Sequence, residues 1–148
     1  MTTTTISWSR KGTKFAEFEA TNMTSPDTEA LLTDDGDALV FNVAPYDDAV
    51  FMCVNKHAST NMTLKPFVSC FTDPGSANTD FGEDSLWVQA KDIAGENLDI
   101  TVTADGTPAN NILYRVNCKG VKYIAFRGTN GSGDLSNAID FALTVVKD

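Results

Sequence analysis

Histidine is nearly missing from this 148-residue chain, cysteine occurs only three times, and no apolar run is long. Each shortage excludes something. The one histidine, His57, would have to serve any Ser-His-Asp or Cys-His arrangement, with Ser59, Cys53 and nearby aspartates available in composition. No nucleophile-elbow sequence accompanies it, and it sits in a polar turn, His57-Ala-Ser-Thr-Asn61, of the kind that joins strands. Cys53, Cys70 and Cys118 are spaced by 17 and 48 residues, an odd number that gives neither a disulfide framework nor a zinc pattern. Three reduced, largely buried thiols are expected. No stretch approaches the roughly 20 apolar residues of a membrane-spanning helix. The start, Met1-Thr-Thr-Thr-Thr-Ile-Ser-Trp8, lacks the cationic opening and apolar middle of a secretory signal, so the expected compartment is the one where the chain is made.

Bases are also missing where acids are dense. Residues 15–48 hold nine carboxylates and no Lys or Arg, whereas residues 1–14 hold Arg10, Lys11 and Lys14 and no acid. The net charge of −9 argues against general binding of nucleic acid, whose phosphates an acidic body repels. What the chain does have is period-two alternation in short runs, punctuated by Gly, Pro, Asn and Asp. Leu39, Phe41 and Val43 alternate before a turn at Pro45-Tyr-Asp-Asp48. Residues 49–55 are apolar on both faces and predict a central strand covered on both sides, with Val50, Met52 and Val54 in the core. Residues 62–71 form a run broken by Pro66, hence an edge strand or two strands meeting at a kink.

Further on, Leu86, Val88 and Ala90 share a face. Leu98, Ile100 and Val102 alternate cleanly, and Asp105-Gly106 is suited to a turn with positive φ. Residues 112–117, 121–127 and 139–145 complete eight or so strands, with Tyr114, Phe126, Phe141 and Leu143 expected inside. Residues 26–33 predict at most one turn of helix, because Pro26 and Asp27 suit its start. The fold class is therefore all-β: an antiparallel β-sandwich or jelly roll over residues 15–148, with an extended N-terminal arm over residues 1–14.

Few residues invite a site. Asp34-Asp-Gly-Asp37 gathers oxygens but lacks the alternating ligands and distal glutamate of an EF-hand, and reads as a loop before a strand, as does Asp47-Asp48. No metal, cofactor or catalytic group is expected. Trp87 is out of phase with Leu86, Val88 and Ala90, which leaves two placements open: exposed, where with Tyr46 it would stack on a sugar or a receptor, or buried under a loop. Ile6 and Trp8 sit in the basic arm with Arg10, Lys11 and Lys14, a combination suited to lying on a neighbouring surface, the rival being a frayed tail. On that view Trp8 fills a neighbour's pocket, and removing residues 2–12 leaves the fold intact.

Residues 43–65 run Val-Ala-Pro-Tyr-Asp-Asp-Ala-Val-Phe-Met-Cys-Val-Asn-Lys-His-Ala-Ser-Thr-Asn-Met-Thr-Leu-Lys. This order of paired-Asp turn, apolar strand, small polar turn and Thr-rich strand resembles bacteriophage capsid decoration (cement) proteins and related virion proteins. The order of strands in residues 97–147 is similar as well. Lys65-Pro66 departs from the family pattern, and residues 66–85 have no counterpart in it. The resemblance implies a non-enzymatic virion protein on the capsid surface, made in the host cytoplasm. Its partners would be the major capsid protein and itself, as a trimer, with no membrane and no nucleic acid. The alternative is a carbohydrate- or receptor-binding β-sandwich of a phage fibre or similar assembly.

Overall fold

Alternating side chains can fill one side of a sheet only if a second layer covers them, and here two sheets do so. The structure, a computed structural model, describes residues 6–27, 30–33, 38–74, 86–105, 112–131, 133 and 135–148. Its strands are β1 (Arg10–Lys11), β2 (Phe15–Ser25), β3 (Val40–Asn42), β4 (Asp48–Asn55) and β5 (Met62–Ser69). They continue as β6 (Val88–Gln89), β7 (Ile100–Val102), β8 (Ile112–Asn117), β9 (Tyr123–Thr129) and β10 (Leu135–Val146). One sheet has the order β1-β2-β10-β4-β8 and the other β3-β9-β5-β6, with β7 also on β5. Every pairing is antiparallel. Outer strands of the sequence pair with each other and inner ones likewise (β2 with β10, β3 with β9, β4 with β8, β5 with β6 and β7). That nested winding is the jelly-roll form of the sandwich.

The core is aromatic. Phe126 lies 5.0 Å from Phe51 and 4.7 Å from Phe141, ring centre to ring centre, and Phe18 lies 5.1 Å from Phe41. A second, smaller cluster of Ala30, Ala38, Val40, Phe67, Trp87 and Ala125 forms beyond β3 and β9, which are therefore buried on both faces.

β4 is not. Its inward face is Ala49, Phe51, Cys53 and Asn55, while Val50 and Val54 are half-buried and Met52 is 42% exposed. The register sets Met52 opposite Ala142 and Leu113 on the outer face of the sheet, so the two-sided burial expected for this strand is corrected to one-sided. Tyr114, expected inside, is 37% exposed: it stacks 6.0 Å from Phe51, but β8 is the last strand of its sheet among the described residues.

Pro66 neither kinks the chain nor marks an outer edge. β5 runs unbroken beside β9, and Pro66 falls in the gap between its partners β7, on residues 62–64, and β6, on residues 67–68. Its carbonyl accepts from the Ala90 N–H at 2.9 Å on that side, so the missing N–H takes no bond from the β9 ladder.

Residues 30–33 are extended rather than helical. Ala30 bridges Arg127, and Leu32 bridges Thr24 and Ala38. Ala30 enters the smaller cluster and Leu31 the main core, an alternation that a helix would not produce. The Asp34-Asp-Gly-Asp37 loop, residues 75–85, Gly106 and Ser132 lie outside the described residues; Asp105 has the expected positive φ, 82°.

Candidate functional site

The N-terminal residues close one side of the sandwich. The Ile6 N–H donates to the Val40 carbonyl at 2.8 Å, on β3, and the Ser9 N–H donates to the Glu17 carbonyl at 2.8 Å, on β2. Residues 6–11 thus span the edges of both sheets, with Arg10 opposite Glu17 and Lys11 opposite Ala16. Trp8 is half-buried between Phe41 at 5.2 Å and Tyr46 at 6.2 Å, and Ile6 packs beside it on the same core. The turn back into β2 is tight: a Cβ on Gly12 would stand 2.3 Å from the Phe15 ring, over which the Arg10 guanidinium sits at 5.4 Å.

Arg10, Lys11 and Lys14 are exposed, and the Lys14 carbonyl accepts from the Lys147 N–H at 2.8 Å. The pocket that takes Trp8 therefore belongs to its own chain, which corrects the expectation of an arm reaching across a neighbour. The physical reason is β2, whose edge supplies the hydrogen bonds that hold the segment down.

Trp87 and Tyr46 are only 5% and 4% exposed, so neither offers a ring face to a sugar. Trp87 covers β3, β5 and β9 within the smaller cluster. His57 holds its own turn: Nδ1 accepts from the Ser59 N–H at 3.3 Å and the Thr60 N–H at 3.0 Å. A triad histidine donates from Nδ1 to its carboxylate, and here that atom is an acceptor.

Among the described residues no three of His, Cys, Asp and Glu cluster as metal ligands would. The three cysteines are unpaired, with Cys53 and Cys118 buried. Cys70 is exposed, contrary to the expected burial, because β5 ends at Ser69 and its alternation ends there too.

Among the described residues, the opposite side of the sandwich, between β8 and the β6–β7 region, carries two surface grooves. Seven large apolar side chains are exposed among the described residues, and five of them line this side. Phe71, Leu86 and Val88 line a groove of about 340 Å³, and Ile93 and Tyr114 a second of about 350 Å³; Val68 and Val121 belong to both, so the two are continuous. Leu86 and Val88 were expected to share a face with Ala90, yet Val88 is 59% exposed while Ala90 and Trp87 are buried. The charged residues that line the grooves are Lys91, Asp92, Arg115 and Lys119. Arg115 is held by Asp48 at 2.6 Å, which raises its already high pKa.

No protein-family model matches the chain. No curated protein matches it either. Among solved structures, the K1 cleaved adhesin domain of Lys-gingipain from Porphyromonas gingivalis W83 is similar over 96% of this chain and 89% of that one, at 14% identity and a TM-score of 0.42.

Proposed function

We propose that this chain is a non-catalytic attachment module of a larger protein assembly, in the role of a phage capsid decoration protein. On this reading it attaches through the open side of the sandwich, and not through its N-terminal residues. The observation that carries it is the uneven placement of exposed apolar side chains, which gather on one side while residues 6–11 seal the other. Contiguous apolar surface with a polar rim is where soluble proteins bind other proteins. Each Val, Leu or Phe taken fully out of water there contributes roughly 1.5–3 kcal/mol before the costs of association. Several such contacts at fixed spacing on a capsid lattice act together. The Nδ1 of His57, taken up by the Ser59 and Thr60 N–H groups of its own turn, supports the non-catalytic part. The role on the virion surface and the trimer follow from the resemblance of residues 43–65.

Leu86→Asp combined with Val88→Asp tests the reading. Both side chains are exposed, so the variant should fold and melt as the parent does. It should fail to co-sediment with head particles built from the accompanying major capsid protein. Unchanged co-sedimentation would move the attachment surface elsewhere.

A further inference from the structure

We infer that β8 accepts an extended, acidic segment of a partner protein as an added strand. This rests on the attachment reading above and specifies what attaches. β8 is the last strand of its sheet among the described residues. Which of its backbone groups are used follows from two bonds: the Cys118 N–H donates to the Asp47 carbonyl at 2.8 Å, and the Lys56 N–H to the Ala138 carbonyl at 2.7 Å. In the register of these strands, odd-numbered residues of β4 face β8 and even-numbered ones face β10. Ile112, Tyr114 and Val116 therefore bond to β4, while the N–H and C=O groups of Leu113, Arg115 and Asn117 point away from it. Three donors and three acceptors lie along roughly 13 Å of edge. An edge of this kind is a template for another extended chain.

The side chains of an added strand would alternate between two surfaces. One set meets the groove beside Tyr114, Val116 and Ile93, and the other meets exposed Leu113 on the outer face. Charge selects the occupant. In a chain of net charge −9, the residues lining this edge include Lys91 and Lys119 beside Asp92, while Arg115 is already paired with Asp48. A second copy of the chain fits poorly, because the twofold register that pairs most of β8 with itself sets Arg115 against Arg115, and like charges directly opposed destabilise a strand pair. A segment with carboxylates among apolar residues meets Lys91 and Lys119 instead.

The test is a titration of the isotope-labelled chain with a capped octapeptide of alternating valine and glutamate, followed by amide resonances. Shifts should gather on residues 113–117 and 91–93, and the valine–lysine counterpart should bind roughly tenfold more weakly or worse. Leu113→Pro removes only an outward-pointing N–H, so it should fold and yet lose the peptide. Lys91→Glu with Lys119→Glu should invert the preference between the two peptides, and decides the matter if the proline variant does not fold. Unmoved β8 resonances, equal binding of both peptides, or a folded Leu113→Pro that binds as the parent does would each overturn the inference. Failure here with particle binding still lost in Leu86→Asp, Val88→Asp would reject strand addition alone. Particle binding retained in that double variant would reject the attachment reading itself.

Discussion

The thiols show how much one residue's surroundings decide. Burial pushes Cys53 up to about 12, with nearby Asp140 adding to it, and pushes Cys118 up to about 11, with Asp48 and Asp47 adding. Against an ordinary value of 9.0, the folded chain then holds more protons than the unfolded chain at alkaline pH. This contribution to stability is complete below about pH 9 and is lost as pH rises through about 11 and 12. The melting temperature should fall above pH 9. A thiol-reactive dye at pH 8 should react quickly with Cys70 alone, and with all three cysteines after denaturation. Fast reaction of all three in the native protein would contradict the burial. That the cysteines are unpaired was legible in their number and spacing. The exposure of Cys70 was not, because where β5 stops depends on its neighbours β6 and β9.

At the scale of elements, β2 is the strand that the pattern concealed. Ala16 and Phe18 face inward, but past Asn22 the inward residues are Met23 and Ser25, so the alternation changes phase. Between Ala20 and Met23, β2 has one residue more than β10 has between Phe141 and Ile139, which is a β-bulge. Asn22 takes the left-handed backbone at φ 55°. Its N–H donates to Asp140 Oδ1 at 3.1 Å, and its Oδ1 accepts from Lys56 Nζ at 2.7 Å, while Lys56 pairs with Asp140 at 2.9 Å. Asn22→Gly should stay within about 0.5 kcal/mol of the parent, since glycine adopts this backbone freely. Asn22→Val should lose about 1–2 kcal/mol, because a β-branched residue is strained there. Urea unfolding checks both, and a valine variant as stable as the glycine one would show that the bulge makes no such demand. A period-two search scores residues 15–25 as two fragments of opposite phase, and for that reason the strand and the hairpin it forms with β1 were not legible.

For the whole molecule, the two sides of the sandwich have opposite fates. Residues 6–11 are part of the folded unit, so deleting residues 1–11 should destabilise it by about 3 kcal/mol, and Trp8→Ala by about 2 kcal/mol, less than a fully buried tryptophan would lose. At roughly 2–4 °C per kcal/mol for a chain of this size, calorimetry should resolve both. A truncated protein that melts with the parent would make the segment a tail after all. The open side behaves differently: substitutions at Leu86 and Val88 should leave stability alone and act on binding. Trp8, expected on a neighbour's surface, is half-buried against Phe41 and Tyr46 of its own chain, whereas Val88 is 59% exposed.

Local chemistry was sufficient for strand identity. Side-chain alternation and turn residues depend on neighbours one to four positions away, so the all-β class, most of the strands and the positive φ of Asp105 follow from residue order. Which face of a strand is interior does not. Phe51 and Met52 are both apolar and adjacent, yet one is core and the other surface, because β4 has the second sheet on one face only. Likewise nothing near Trp8 or Trp87 in sequence encodes the pockets that receive them, which are built by residues far along the chain such as Phe41, Phe67 and Ala125. Burial is a property of pairing between distant strands, and tertiary structure alone decides it.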